Sequence, residues 1–72
     1  MILENTINKA SKILKKHNIT SHALDAEVIL SDIIGVSREF LLVNNNLSVS
    51  KKVIKKYKSA INRRINREPV AY

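Results

Sequence analysis

Apolar residues recur every three or four positions along most of this chain, and no stretch sustains a period of two. A spacing of three to four places apolar side chains on one face of an α-helix, whereas a half-buried strand needs strict alternation. The chain has one glycine and one proline, so few positions interrupt the helical pattern. The pattern therefore predicts an all-α fold, a small bundle of four to five helices.

The first two helices differ in how their apolar residues are distributed. Residues 3–17 have lysines opposite an apolar face, which is typical of an amphipathic helix on the surface of a bundle. The second helix is expected to begin after Thr20 or Ser21 and to end at Gly35, which enters a left-handed cap without steric cost. Because this helix is apolar nearly all round, we expect it at the centre, with neighbours on more than one face.

Two further helices are predicted downstream. A short one follows Ser37 as its N-cap, and the fourth runs from Ser48, as its N-cap, to about Arg67. The short helix is expected to bury three apolar side chains, Phe40, Leu41 and Val43. We expect one core to join all four helices. Its predicted members are Leu14, Leu30, Ile33, Phe40, Tyr57 and Ile61.

Pro69 marks the predicted exit from the fourth helix, because a proline disfavours helix at the residue before it. The residues after it, Val70 to Tyr72, are typical of the start of an extended segment, which we expect to be poorly ordered without downstream partners. The chain is therefore divided into a helical domain at residues 1–67 and the start of a linker at residues 68–72.

Two charged residues break the apolar pattern. In helical projection Arg64 falls inside the apolar arc of the fourth helix, and Glu27 falls at the border of the arc of the second. A buried charge without a partner costs several kcal/mol, whereas a bidentate arginine–carboxylate pair largely offsets that cost. We therefore predict a structural ion pair between Glu27 and Arg64. The alternative, that Glu27 is a catalytic acid, lacks a second carboxylate or histidine on the same face.

The formal net charge of +7 is concentrated in the fourth helix. Residues 51–68 carry eight lysines and arginines against Glu68 alone, which gives +7 for this segment. Such a face could bind nucleic-acid phosphates, but it lacks interleaved aromatic residues, so a solvated surface is the simpler interpretation. A small basic helical domain that binds RNA or DNA is kept as the alternative function.

Few residues here suit catalysis or metal binding. The chain has no cysteine, which fits a reducing compartment, so we expect the cytoplasm. His17 lies near the C-terminal end of the first helix, where a histidine usually interacts with the helix dipole. His22 has only Asp25 close to it in the sequence, which is too few ligands for zinc. No glycine-rich phosphate loop or Ser-His-Asp set is present, and the apolar runs are far shorter than the roughly 20 residues of a membrane helix. We expect no catalytic, cofactor-binding or metal-binding residue.

Two stretches of the sequence carry a family pattern. Residues 24–42 read LDAEVILSDIIGVSREFLL, with Asp-Ala-Glu followed by aliphatic residues and then a glycine and an arginine, Gly35 and Arg38. Residues 47–72 read LSVSKKVIKKYKSAINRRINREPVAY, which ends in an Arg-Arg pair and Glu-Pro-Val-Ala-Tyr. Together these stretches resemble the N-terminal domain of the release factor glutamine methyltransferases (PrmC/HemK). The departures are Arg67 where the family usually has glycine, Val49 where it often has proline, and Lys51 where it often has an acid.

The resemblance implies that residues 1–67 form a substrate-recognition domain and that residues 68–72 lead to a catalytic domain beyond the chain. In the family, that catalytic domain transfers a methyl group from S-adenosylmethionine to the glutamine of the Gly-Gly-Gln motif in peptide chain release factors. The implied partners of the helical domain are the release factors and its own catalytic domain. Candidate partner-binding residues are Arg38, Lys55, Arg63 and Arg67.

Overall fold

The computed structural model describes residues 1–67, which fold into four α-helices around one apolar core. The helices are α1 (Leu3–Lys16), α2 (His22–Ile34), α3 (Arg38–Val43) and α4 (Lys51–Ile65). This arrangement confirms the predicted all-α bundle. The predicted linker at residues 68–72 lies outside the described residues. So do the predicted helix exit at Pro69 and the segment Val70 to Tyr72, which was expected to be poorly ordered.

Helices α1 and α4 run in parallel, and α2 runs in the opposite direction. Ile2, before α1, forms an antiparallel bridge with Ser48, before α4. At the other end, Nη2 of Arg67 donates to the carbonyl oxygen of His17 over 3.1 Å, which joins the residues that follow the two helices. Helix α2 packs against α1, α3 and α4. Its expected place at the centre of the bundle is therefore confirmed.

The start of α1 depends on backbone groups from the segment before α4. No side chain caps α1, although the first N–H groups of a helix have no partners within it. The carbonyl oxygens of Leu47 and Asn45 accept from the backbone N–H groups of Leu3 and Glu4, at 2.8 and 2.9 Å. The N–H of Val49 donates in turn to the carbonyl of Met1 over 2.7 Å. These bonds fix the N-terminal ends of α1 and α4 side by side.

Serine hydroxyls cap two of the helices. Oγ of Ser37 accepts from the backbone N–H of Phe40 over 3.1 Å, as predicted for α3. Oγ of Ser50 accepts from the N–H of Val53 over 3.2 Å, so Ser50 and not Ser48 is the N-cap of α4. The prediction of Ser48 is wrong because that residue lies in the extended segment that pairs with Ile2. Helix α4 also ends earlier than expected, at Ile65.

The other helix ends follow the expected signals in part. Gly35 lies at the C-cap of α2 with φ of 83°, the left-handed conformation predicted for it. Ser21 occupies the N-cap position of α2, but its hydroxyl makes no cap hydrogen bond. It donates instead to Oδ2 of Asp25 over 2.8 Å. The polar start of α2 is therefore organised around Asp25.

Most of the predicted core is buried. Leu14, Leu30, Tyr57 and Ile61 have almost no exposed surface, and Ile33 packs against them partly buried. The predictions for α3 are correct only for Leu41, because Phe40 is 43% exposed and Val43 is 81% exposed. Helix α3 has six residues and packs mainly on α2, so it buries one side only.

Candidate interaction surfaces

A buried carboxylate connects α2 to the C-terminal end of α4. Asp25 has no exposed surface, and its Oδ2 accepts from Nε of Arg64 over 2.9 Å and from the hydroxyl of Ser21. Arg64 itself is partly buried, with a side chain that is 19% exposed. It faces the interior as predicted, but its partner is Asp25, so the predicted pair of Glu27 with Arg64 is wrong.

Glu27 forms a different ion pair. Its Oε1 accepts from Nε and Nη2 of Arg38, at 3.1 and 2.8 Å, which ties α2 to the start of α3. Asp25 and Glu27 lie on either side of Ala26, so they point to different neighbours of α2. Arg38 was a candidate for partner binding, and its side chain is already engaged with Glu27 although 42% of it is exposed.

Tyr57 joins α4 to the middle of α2. Its hydroxyl donates to the carbonyl oxygen of Ala26 over 2.7 Å, and its ring is buried. Burial, and to a lesser degree the negative charge of Glu27, raises the pKa of Tyr57 well above its usual range. The hydroxyl is therefore held neutral as a structural hydrogen-bond donor.

The two histidines have different surroundings. Nδ1 of His22 lies 2.7 Å from the hydroxyl of Ser11, which links the start of α2 to α1. His17 is exposed at the C-cap of α1. Within residues 1–67, no three histidine, aspartate or glutamate side chains are grouped so that they could hold a metal ion. None of the helices in that part of the chain is both long and apolar enough to span a membrane.

The basic candidates on and after α4 lie at the surface. Lys55 and Arg63 are exposed, and neither forms an ion pair with a described residue. Arg67 is exposed as well, but its guanidinium donates to the carbonyl of His17, and its φ is 70°. Of the four candidate partner-binding residues, Lys55 and Arg63 are thus available to a partner, while Arg38 and Arg67 make contacts inside the domain.

Helix α3 presents an exposed apolar surface. Phe40, Leu42 and Val43, which we name the α3 patch, all have more than a third of their surface exposed. Only Leu41 of this helix faces the core. The α3 patch follows the C-terminal end of α2, so it lies at the opposite end of the bundle from Arg64 and Arg67.

A second apolar surface lies between the two parallel helices. An open groove with a volume of about 730 Å³, the α1–α4 groove, runs along the bundle. Its walls are mainly aliphatic, and Lys9 and Lys58 stand at its edges. The apolar residues that line it include Ala10, Ile13, Ile54, Ile61 and Ile65.

The α1–α4 groove was not expected from the sequence. The predicted core included Leu14 of α1 and Tyr57 and Ile61 of α4, and no groove between these helices was predicted. Ile13 is 38% exposed, and Ile54 and Ile65 are only partly buried. The available signal was the width of the apolar arcs. An arc wider than one neighbouring helix can cover leaves aliphatic side chains at its edge.

Comparison with known proteins identifies one family and several relatives. The family model described as the PrmC N-terminal domain matches residues 5–72. A release factor glutamine methyltransferase of Clostridium botulinum is 31% identical over 72 residues, which are 100% of this chain and 25% of that protein. Another, from Leptospira interrogans, is 33% identical over 66 residues, 92% of this chain and 23% of that protein.

A bifunctional methyltransferase of Rickettsia felis is 31% identical over 70 residues, 97% of this chain and 13% of that protein. The chain therefore spans a quarter or less of the length of these relatives. No solved structure matches the chain significantly. Because the family model covers nearly the whole sequence and the fold is the expected helical bundle, this chain belongs to the PrmC N-terminal domain family, whose curated relatives are methyltransferases.

Proposed function

We propose that this chain is the N-terminal protein-binding domain of an S-adenosylmethionine-dependent methyltransferase that modifies peptide chain release factors. The proposed reaction transfers a methyl group to the side-chain amide nitrogen of the glutamine in the Gly-Gly-Gln motif. The observation that carries this proposal is the family match over residues 5–72, together with relatives named release factor glutamine methyltransferase. Since release factors act on ribosomes, the proposed location is the cytoplasm.

The proposed contribution of this domain is binding and positioning, with the chemistry supplied by a following domain. A dinucleotide-type or methyl-donor site of the Rossmann class needs a strand, a glycine-rich loop and a helix. This sequence has a single glycine, Gly35, which forms the C-cap of α2. The residues present thus do not fit S-adenosylmethionine, and no step of the methyl transfer is assigned to them.

The exposed apolar surfaces support a binding role. Isolated apolar side chains are common on protein surfaces, but a continuous apolar groove or patch often marks a binding site. The α1–α4 groove and the α3 patch are two such surfaces among residues 1–67. The proposed partners, a release factor and the domain's own catalytic domain, would each need such a surface.

Calorimetric titration of the 72-residue chain with a bacterial release factor tests the proposal. We expect saturable binding of the release factor and no heat from S-adenosylmethionine. Circular dichroism of the same sample shows whether the chain is helical. If a helical chain does not bind the release factor at low ionic strength, or if it binds the cofactor stoichiometrically, the proposal is wrong.

A second candidate, nucleic-acid binding, is favoured by the exposed lysines of α4. Lys51, Lys52, Lys55, Lys56 and Lys58 are all exposed. Titration of the chain with a generic RNA at increasing salt separates the candidates, because binding to phosphates weakens steeply as counterions compete. RNA affinity comparable with that for the release factor would favour the second candidate, and no RNA binding at low salt would remove it.

A further inference from the structure

We propose that the α1–α4 groove binds an amphipathic helix that carries acidic residues beside its apolar face and belongs to a partner protein. The inference rests on the proposed role of this chain as a protein-binding domain and names the surface and the chemistry of the segment it binds. Three properties of the groove carry it: an aliphatic floor, a basic rim and a length that fits about three helical turns.

The floor of the groove offers apolar surface that no described residue covers. Ala10 and Ile61 form its buried base, and Ile13, Ile54 and Ile65 leave part of their surface exposed along it. These side chains line a trough between the two parallel helices. The apolar face of a third helix is the usual occupant of such a trough, with anchors spaced three and four residues apart.

The rim of the groove is positively charged on both sides. Lys9 stands on the α1 side and Lys58 on the α4 side, and neither has an acidic partner within 4 Å among residues 1–67. Helix α4 contains no acidic residue, and Glu4, the one acid of α1, lies about 140° around the helix axis from Lys9. Facing charges of one sign select a partner of the opposite sign. The occupant should therefore carry carboxylates on both flanks of its apolar face.

The length of the groove limits the occupant. Ile54 and Ile65 are eleven residues apart on one helix, which corresponds to about 16 Å along its axis. A segment of about 11 residues, three turns of helix, spans that distance. A short amphipathic helix thus matches the length of the groove.

Nucleic acid fits this groove less well. Single-stranded nucleic acids are bound through aromatic side chains that stack on the bases, combined with basic residues. The aromatic residue at the groove is Tyr57, whose ring is buried and whose hydroxyl is bonded to Ala26. Aliphatic walls would face the phosphates of a nucleic acid. Lys52 and Lys56 could bind phosphate without apolar side chains nearby, but they lie on the side of α4 opposite the groove.

Two designed peptides of about 18 residues, long enough to be partly helical in water, provide the probes. Both carry the same leucine face, and one has glutamates and the other lysines on the flanks. We expect the acidic peptide to shift the amide NMR signals of Ala10, Ile13 and Ile61 in the 72-residue chain. We expect the basic peptide to bind at least about tenfold more weakly.

A charge swap at the rim tests the role of the two lysines. The double variant Lys9→Glu/Lys58→Glu should prefer the basic peptide, which reverses the order of the two affinities. The matched control Lys52→Glu/Lys56→Glu makes the same change in net charge on the far side of α4. Because all four lysines are exposed, both variants should keep the circular dichroism of the parent chain. The control should retain the preference for the acidic peptide.

Several outcomes would overturn the proposal. If both double variants lose the acidic peptide equally, the attraction depends on net charge and not on the groove. The proposal is also wrong if the acidic peptide shifts Leu42 and Val43 but not the groove residues, or if a short RNA shifts the groove residues as strongly. Groove signals that change with the concentration of the chain alone, and not with peptide, would show that the groove binds a second copy.

Titration of the same variants with a release factor separates this inference from the proposed function. If the release factor binds the parent chain and Lys9→Glu/Lys58→Glu with equal affinity, the groove is not the binding surface, and the proposed function stands. If the acidic peptide binds in the groove but the release factor does not bind at all, the inference stands and the proposed partner is wrong.

Discussion

Arg64 donates a hydrogen bond of 2.9 Å from Nε to Oδ2 of Asp25, a carboxylate with no exposed surface. The two residues are 39 positions apart in the sequence, and the bond joins the start of α2 to the end of α4. Ser21 donates to the same oxygen. The ion pair and the hydroxyl thus fix the end of the bundle from which the chain leaves α4.

Arg64→Ala should be the most harmful change of a single arginine in this domain. It removes a cationic partner of a fully buried carboxylate, a change that costs about 3 kcal/mol or more in other proteins. The total stability of so small a domain is only about 5 kcal/mol. The matched control is Arg63→Ala, the exposed neighbour, which should change the free energy of unfolding by no more than about 0.5 kcal/mol. Urea denaturation of both variants measures the difference.

A double-mutant cycle shows whether the effect belongs to the pair. Asp25→Asn combined with Arg64→Met leaves no buried charge, so its cost should be smaller than the sum of the two single changes by at least about 1 kcal/mol. Additive costs would mean that Arg64 stabilises the domain through its aliphatic packing and not through Asp25.

Helical phase predicted that Arg64 faces inward, but it did not identify the correct carboxylate. Asp25 and Glu27 are each one residue from Ala26, so they stand about 100° to either side of the centre of the apolar face of α2. Periodicity favours Glu27, which lies about 20° beyond Ile34 at one edge of that face, whereas Asp25 lies about 40° beyond Ile29 at the other. The choice depends on which side of α2 receives α4, and this follows from the tertiary arrangement of the bundle. A single sequence does not contain that information in its periodicity.

The order and number of the helices could be predicted because they depend on local features of the sequence. The order and the number of the helices follow from the spacing of apolar residues and from local signals such as Ser37 and Gly35, which act within a few residues. Ser48 was the predicted cap of α4, and Ser50 lies two residues after it. A contact with Ile2, distant in sequence, draws Ser48 into an extended segment and leaves Ser50 as the cap. The α1–α4 groove likewise depends on the separation of two helices.

Arg38→Ala should be much milder than Arg64→Ala. The Glu27–Arg38 pair is geometrically good, with two hydrogen bonds to one oxygen, but the Arg38 side chain is 42% exposed to solvent. Exposed ion pairs contribute about 0 to 1 kcal/mol, because water screens the charges. Urea denaturation should therefore place Arg38→Ala within about 1 kcal/mol of the parent chain. A loss as large as that of Arg64→Ala would show that the position of α3 depends on this pair.

The stability of the domain should fall at alkaline pH through Tyr57. Burial, with a contribution from the charge of Glu27, raises its pKa in the folded state well above the value of about 10 in the unfolded chain. Below about pH 10, the Tyr57 hydroxyl keeps its proton in both the folded and the unfolded state. Above it the unfolded state loses the proton and the folded state does not. The free energy of unfolding therefore decreases with pH, by at most about 1.4 kcal/mol per unit from this residue.

Tyr57→Phe isolates that contribution from the ionisation of the lysines. The variant loses the hydrogen bond to Ala26 and should be about 1 kcal/mol less stable near neutral pH. Its stability should then decrease less steeply than that of the parent between about pH 9 and 11. Parallel curves for the two proteins would mean that the hydroxyl of Tyr57 ionises as readily in the folded state as in the unfolded chain.

Arg67 combines an unfavourable backbone conformation with a favourable side-chain contact. Its φ of 70° is left-handed, which costs a residue with a side chain roughly 1 kcal/mol relative to glycine. Its guanidinium offsets part of that cost by donating to the carbonyl of His17, at the C-terminal end of α1. The family resemblance places a glycine at this position, which fits the left-handed conformation.

Two substitutions at Arg67 separate the backbone from the side chain. Arg67→Ala loses the hydrogen bond and keeps the strained backbone, so it should be destabilised, whereas Arg67→Gly loses the same bond but relieves the strain. We expect the glycine variant to be more stable than the alanine variant by about 1 kcal/mol, and within about 0.5 kcal/mol of the parent chain. Urea denaturation measures both. If alanine and glycine are equally tolerated, residue 67 does not hold its left-handed conformation in solution, and the contact with His17 does not depend on it.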